Sequence, residues 1–197
     1  MRFGNYLDEL LAKRPYVKLL RAFVLGSPAK EWSGRELARA AGVDHTFASE
    51  VMPLFVGYEM ASMRQLGNAN IYRVNAEHFV VKQFRAFFEA ERLAAERLGT
   101  ELARACASNG KIQSATMYGS VARGKGGASS DVDVLLIVDG KVDLAGLFGK
   151  VETEFGNTVS PHIWTVGQLG VKKKLPLFRN ILKEGKHIYG KKLEELL

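Results

Sequence analysis

The tightest constraint on this chain is one run near its middle, Tyr118-Gly-Ser-Val-Ala-Arg-Gly-Lys-Gly-Gly-Ala-Ser-Ser-Asp-Val-Asp-Val-Leu-Leu-Ile-Val138. It joins a Gly-Ser turn to two aspartates at the head of an apolar stretch. Residues 132–138 are β-branched or aliphatic and stop at Asp139-Gly140, a turn signal, so they predict a buried strand. Side chains two apart on a strand share a face. Asp131 and Asp133 therefore point one way, and Val132 and Val134 point the other. Two neighbouring carboxylates repel each other, and a hard cation such as Mg²⁺ resolves the repulsion. Mg²⁺ usually takes one or two carboxylates plus substrate phosphates. Upstream, Gly119 lets the backbone approach a ligand closely. The amides of the turn and the Ser120 hydroxyl can donate to phosphate oxygens. Arg123 falls on the first turn that follows. Ser130 adjoins Asp131 and can fix a carboxylate by hydrogen bonding. The loop 124–130 is small enough to open onto a ligand. The combination suits a site that holds a nucleoside triphosphate through its phosphates and a divalent metal.

Taken together, Gly-Ser-aliphatic-x-Arg-Gly, a spacer of five residues and Ser-Asp-aliphatic-Asp-aliphatic resemble the signature of the polymerase-β-like nucleotidyltransferase superfamily, in particular its minimal nucleotidyltransferase branch. The resemblance implies that Gly119 and Ser120 contact the triphosphate, with Arg123 and Ser130 beside it. It also implies that Asp131 and Asp133 ligate Mg²⁺ and serve catalysis, with ATP the expected nucleotide. A third carboxylate on a later strand belongs to the family's pattern, completing the metal site that activates the attacking hydroxyl. Here the sequence departs from the pattern. Residues 141–155 read as a turn and a helix, and the next strand is expected at Thr158–Val166. No Asp or Glu occurs between Glu154 and Glu184. Ser160 and His162 stand where the carboxylate is expected. Mg²⁺ prefers oxygen to imidazole, and His162 is read as a partly buried strand histidine. Nucleotide binding with one metal survives this reading; efficient transfer lacks its third acid.

The other half of the chain points elsewhere. Residues 3–13 have helical periodicity, and Tyr16–Val24 repeats it behind Pro15, a good helix starter. Ser33 and Glu36 form a capping-box pattern for a helix to Ala41. Gly42 ends that helix, and Asp44 caps another from His45 to about Phe55. Two short helices around a glycine are a helix-turn-helix pattern. Met60–Leu66 and Ile71–Val74, flanking Gly67-Asn-Ala-Asn70, predict a β-hairpin, and the set makes a winged helix-turn-helix. Ile71-Tyr-Arg-Val-Asn75 followed by Glu77-His78 resembles the wing-to-helix junction of bacterial and archaeal winged-helix regulators. Some of these carry a minimal nucleotidyltransferase at their C-terminus. The resemblance implies that His45, Thr46 and Ser49 face the DNA major groove, while Arg64 and Asn68 on the wing reach phosphate or the minor groove. Residues 43–60 hold no Lys or Arg but do hold Asp44, Glu50 and Glu59, and Pro53 is expected to disturb its helix. Tight DNA binding would then draw on the wing, the first helices or a homodimer. A winged helix used for protein contacts is the competing reading.

Composition sets the outer bounds. A chain of 197 residues allows one or two domains, and 47% apolar residues support a real core. No apolar run approaches a membrane span, and the first residues lack the apolar region of a signal peptide. The single cysteine, Cys106, cannot form an internal disulfide and reads as a small core residue. These features predict a cytoplasmic location and no membrane partner. A net charge of +7 and a pI near 9.5 favour polyanionic partners. Much of the excess lies at Lys172–Lys174, Arg179, Lys183, Lys186, Lys191 and Lys192.

Residues 78–107 predict a long helix, with Phe79, Phe84, Phe87 and Phe88 as an aromatic cluster for core or dimer packing, stopped at Asn109-Gly110. Residues 176–197 read as amphipathic helix with a turn at Gly190. The expected fold is α+β: a winged helix-turn-helix domain at 1–78, a linking helix at 79–107, and a nucleotidyltransferase-like domain at 108–197 with a small mixed sheet and flanking helices. The expected function is a DNA-binding transcriptional regulator whose C-terminal domain binds Mg-NTP. The alternative is an active nucleotidyltransferase that modifies a protein partner, as an antitoxin-like enzyme, or a small molecule.

Overall fold

The computed structural model describes residues 11, 13–124, 126 and 130–197. The helix expected over 3–13 and most of the loop 124–130 lie outside the described residues. The chain divides into two compact units, residues 1–92 and 93–197.

In the first unit, α1 (Arg14–Leu25) opens with Pro15 in its first turn and buries Leu19, Leu20, Phe23 and Val24. A short strand, β1 (Glu31–Ser33), leads directly into α2 (Gly34–Ala41). Ser33 ends the strand and caps the helix: its Oγ accepts the Glu36 amide at 3.3 Å, and the Glu36 carboxylate accepts the Ser33 amide at 3.0 Å. These two reciprocal bonds satisfy donors that a helix start leaves orphaned. Asp44 caps α3 (His45–Gly57) by accepting the amides of Thr46 at 2.7 Å and Phe47 at 3.4 Å. Those bonds hold its carboxyl below the usual carboxylate range.

The disturbance expected at Pro53 does not break α3, which runs continuously through it. Pro53 removes one ladder bond, but Val51, Met52 and Phe55 lock the same stretch into the core. Tertiary burial outweighs the local defect. The hairpin pairs β2 (Ala61–Leu66) with β3 (Ala69–Val74) in a register that continues to Leu66↔Ala69. Its loop is therefore Gly67-Asn68 rather than four residues. β1 adds to the other edge of β3, giving an antiparallel sheet of order β1-β3-β2. That third strand was not legible in the sequence.

One helix, α4 (Phe79–Ala107), contributes residues to both units. The aromatic cluster on it divides. Phe84 and Phe88 are buried and stacked at 6.1 Å, whereas Phe79 and Phe87 are 53% and 64% exposed. Between α3 and β2, Glu59 takes φ 60°, the one non-glycine residue with positive φ among the described residues. Its carbonyl accepts the Asn75 side-chain amide at 2.9 Å, which holds the bend. A left-handed conformation burdens any residue with a Cβ by about 1–2 kcal/mol, partly offset by the greater unfolded freedom of glycine. Glu59→Gly is accordingly expected to stabilise the first unit by about 0.5–1 kcal/mol, read as a higher urea midpoint at unchanged m-value.

The second unit is a mixed sheet of order β6-β5-β4-β7. Its strands are β4 (Ile112–Tyr118), β5 (Val132–Val138), β6 (Val159–Thr165) and β7 (Lys186–Gly190). β5 and β6 run parallel, and β4 is antiparallel to β5 and to β7. The helices are α5 (Gly119–Ala122), α6 (Gly149–Phe155), α7 (Val166–Lys172) and α8 (Pro176–Glu184). The alternation of β5 sorts the core in two. Val132, Val134, Leu136 and Val138 pack with Leu98, Leu102, Cys106 and Val151. Leu135 and Ile137 pack with Trp164, Leu169, Phe178 and Ile181. The sheet is thus covered by α4 and α6 on one face and by α7 and α8 on the other. Burial of Cys106 pushes its thiol up to about 11, which makes it a poor nucleophile at neutral pH.

The tail differs from the helix expected there. α8 stops at Glu184, and the next residues form β7, which pairs with the otherwise open edge of β4. An open edge leaves backbone groups unpaired, so the strand satisfies what a longer helix would not. Gly185 makes the turn possible: a Cβ there would lie 2.4 Å from the Ile181 carbonyl oxygen and 2.8 Å from Thr116 Cγ2. No helix among the described residues is long and apolar enough to cross a membrane.

Candidate functional site

The run 118–138 folds so that β4, the turn after it and the start of β5 meet at one end of the sheet. Tyr118 pairs with Asp133, and Asp133 pairs in turn with Ser160. Directly paired residues share a face, so Tyr118, Asp133 and Ser160 form a row across three strands. That face is the one covered by α7 and α8. Asp131 lies just before β5 and is exposed, while Asp133 is half-buried. The start of β5 is tied to the residues just ahead of β6 by the Asn157 side chain donating to the Ser130 carbonyl at 2.9 Å and by the Val132 amide donating to the Thr158 carbonyl at 2.8 Å.

Gly119 is where the motif becomes geometry. It takes φ 77°, and a Cβ built on it would lie 2.1 Å from Asp133 Oδ2 and 3.1 Å from its Cγ. The Asp133 carboxylate therefore sits directly against the backbone of the Gly-Ser turn, at a distance no side chain permits. Arg123 closes the short α5, its amide reaching the Gly119 carbonyl at 3.3 Å. Its guanidinium pairs with Glu184 at the end of α8, at 3.3 Å.

The neighbourhood expected to hold a third carboxylate contains a different arrangement. The Tyr118 hydroxyl and His162 Nδ1 share a hydrogen bond of 2.7 Å, with their rings edge to face at 5.9 Å. Burial raises the Tyr118 pKa, and the negative charge of Asp133 raises it further. Tyr118 is thus a protonated phenol at neutral pH, engaged with the histidine. Among the described residues, no three His, Cys, Asp or Glu side chains converge as a metal cluster. Sequence reasoning missed both Tyr118 and Glu184. Tyr118 directly precedes the motif, and Glu184 is the first acid after Glu154, but only the sheet register and the α8 turn bring them to the site.

In the first unit, a cleft of about 590 Å³ opens between α2, α3 and the hairpin. It gathers His45, Ser49 and Asn68 with Arg35, Asn70 and Tyr72. His45 Nε2 and Ser49 Oγ lie 3.5 Å apart, one helical turn from each other. Thr46 is exposed on the first turn of α3, outside the cleft lining. Arg64 is held by Glu31 of β1 in a two-point pair, Nε to Oε1 at 3.1 Å and Nη2 to Oε2 at 2.6 Å. The pairing lowers the Glu31 pKa and raises that of Arg64. Arg35, on the first turn of α2, is the cation in the cleft lining. Its position follows from the capping box, a signal the sequence carried.

Comparison with known proteins bears on the second unit. Residues 100–194 match the family model described as "Polymerase beta, Nucleotidyltransferase". The match falls within the second unit and is a similarity to that family. No curated protein matches the chain. Among solved structures, a toxin-antitoxin with AMP-PNP aligns with a TM-score of 0.37 at 15% identity, covering 50% of this chain and 79% of that one. TrmBL2, an archaeal chromatin protein described as showing a novel mode of DNA binding, aligns with a TM-score of 0.29 at 19% identity, covering 91% and 74%.

Proposed function

We propose that the chain is a DNA-binding regulator whose C-terminal domain takes up a nucleoside triphosphate, ATP in the first instance, together with Mg²⁺. The observation that carries the nucleotide half is the seating of the Asp133 carboxylate on the Gly119 backbone. It supports phosphate donors and metal ligands meeting at one point, inside a stretch that matches a nucleotidyltransferase family. Gly119, Ser120, Arg123 and Ser130 would line the nucleotide. The donor set fits Mg²⁺: Asp131 and Asp133 offer hard oxygens, and phosphate oxygens complete the shell. Asp131 and Asp133 would hold the Mg²⁺, whose charge would offset that of the carboxylate pair and of the phosphates.

Binding is favoured over transfer by the row on the sheet. Opposite Asp133, β6 presents the neutral Ser160, and His162 is engaged by Tyr118. Neither is placed as the anionic group that would position an attacking hydroxyl. Transfer of a nucleoside monophosphate to a protein or small-molecule acceptor is the second reading, kept by the intact Gly-Ser and Asp-x-Asp elements.

The DNA half rests on α2, α3 and the hairpin, whose order and caps support a winged helix-turn-helix at 1–78, followed by a linking helix at 79–107 and the nucleotidyltransferase-like domain at 108–197. His45, Thr46 and Ser49 would read bases, and Asn68 would approach the backbone from the hairpin tip. The Arg64 pair with Glu31 offsets its charge, leaving Arg35 as the cleft's phosphate contact. The test is a gel-shift series on the gene's own upstream duplex at rising salt. With three or more phosphate contacts, the log–log slope is expected to be about −2.7 or steeper. No shift even at low salt would remove the DNA half of the proposal.

A further inference from the structure

Resting on the nucleotide reading above, we propose that Glu184 is an internal competitor of the nucleotide, a carboxylate that occupies Arg123 until a phosphate chain displaces it. Between Val166 and Lys192 the chain carries eight Lys or Arg and one acid, Glu184. That acid is paired not with one of its basic neighbours but with Arg123, the arginine of the Gly-Ser motif. Both partners are fixed in place. Arg123 closes α5 on the Gly119 carbonyl, and Glu184 is set by the tight turn at Gly185, packed on Thr116 of β4. A competitor anion thus stands at the guanidinium that the nucleotide would use.

The contact is of a kind that yields to phosphate. It is a single Nη1–Oε2 approach of 3.3 Å between side chains 45% and 46% exposed. Pairs so exposed contribute little, whereas a phosphate can take the guanidinium fork through two parallel bonds. A ligand with one weakly held phosphate group gains little by breaking the pair. A triphosphate seated on Gly119, Ser120 and the metal gains a second anchor. Displacement also frees a negative charge at the end of α8, between Lys183 and Lys186 in the chain, so the occupied and empty sites differ in charge there.

The test is calorimetric titration of Mg-ATP into the full chain and into Glu184→Gln, Arg123→Gln and the double variant. Glu184→Gln is expected to tighten binding by about 1.4- to fivefold, the range an exposed ion pair spans. Arg123→Gln is expected to weaken it, and in that background the gain from Glu184→Gln is expected to vanish. Unchanged or weaker binding by Glu184→Gln overturns the proposal, as does a gain that persists in full without Arg123, which would mark a general charge effect. If the unaltered chain binds no Mg-ATP, the nucleotide reading falls and this proposal falls with it. If that chain binds and only the Glu184 comparison fails, the nucleotide reading stands alone.

Discussion

Converting Asp131 and Asp133 together to asparagine is expected to abolish Mg²⁺-dependent ATP binding. Each substitution keeps the shape of the side chain and removes its charge. Losing a charged contact costs about 1.5–3 kcal/mol, so the pair together costs about a hundredfold or more in affinity. The single variants separate the two roles. Asp133 is half-buried, seated on Gly119 and flanked by Tyr118 and Ser160, so Asp133→Asn is the more damaging. Asp131 is exposed, and Asp131→Asn should leave measurable binding. Because two like charges are removed, the melting temperature of the double variant should hold or rise slightly. A double variant that binds as the unaltered chain does, at equal melting temperature, would dismiss the metal assignment. One that merely unfolds would say nothing of it, which is why the melt accompanies the titration.

Gly119→Ala is the second large effect. An added methyl would stand 2.1 Å from Asp133 Oδ2, where the repulsive wall leaves no accommodation. Two responses are open. The Asp133 carboxylate can rotate away, or the turn can abandon φ 77°, which in any case strains alanine by about 1–2 kcal/mol. Either response would part the Gly119 turn, proposed to hold phosphate, from the Asp133 carboxylate, proposed to hold the metal. Mg-ATP binding is expected to fall by at least the loss seen for Asp133→Asn. The second unit should remain folded, because β5 stays buried through Val132, Val134, Leu135 and Leu136. Gly119→Ala binding with normal affinity would mean that the contact between turn and carboxylate is incidental to the site.

What the sequence disclosed followed from how local each signal was. The strand 132–138, the capping box at Ser33 and Glu36, the cap at Asp44 and the long helix ending near Ala107 depend on neighbours within a few residues, and all take form. Pro53 inside α3 shows local preference overruled by burial. The strand β1 and the strand β7 escaped notice because neither has a pattern of its own: each is too short, and exists by pairing with a sheet edge set by distant residues. The same distinction runs through the site. Gly119, Ser120, Asp131 and Asp133 are legible because the motif is contiguous. The approach of Asp133 to Gly119, the Tyr118–His162 bond and the Arg123–Glu184 pair are tertiary, spanning up to 61 positions, and no spacing rule announces them. The aromatic residues of α4 make the point in reverse: helical spacing grouped four of them, but only Phe84 and Phe88 face a core.

The most direct test of the account is calorimetric titration of ATP into the unaltered chain, once with millimolar Mg²⁺ and once with chelator in excess. The expected result is saturable binding of one nucleotide per chain with Mg²⁺, and its loss without the cation. No binding under either condition, or equal binding under both, would contradict it.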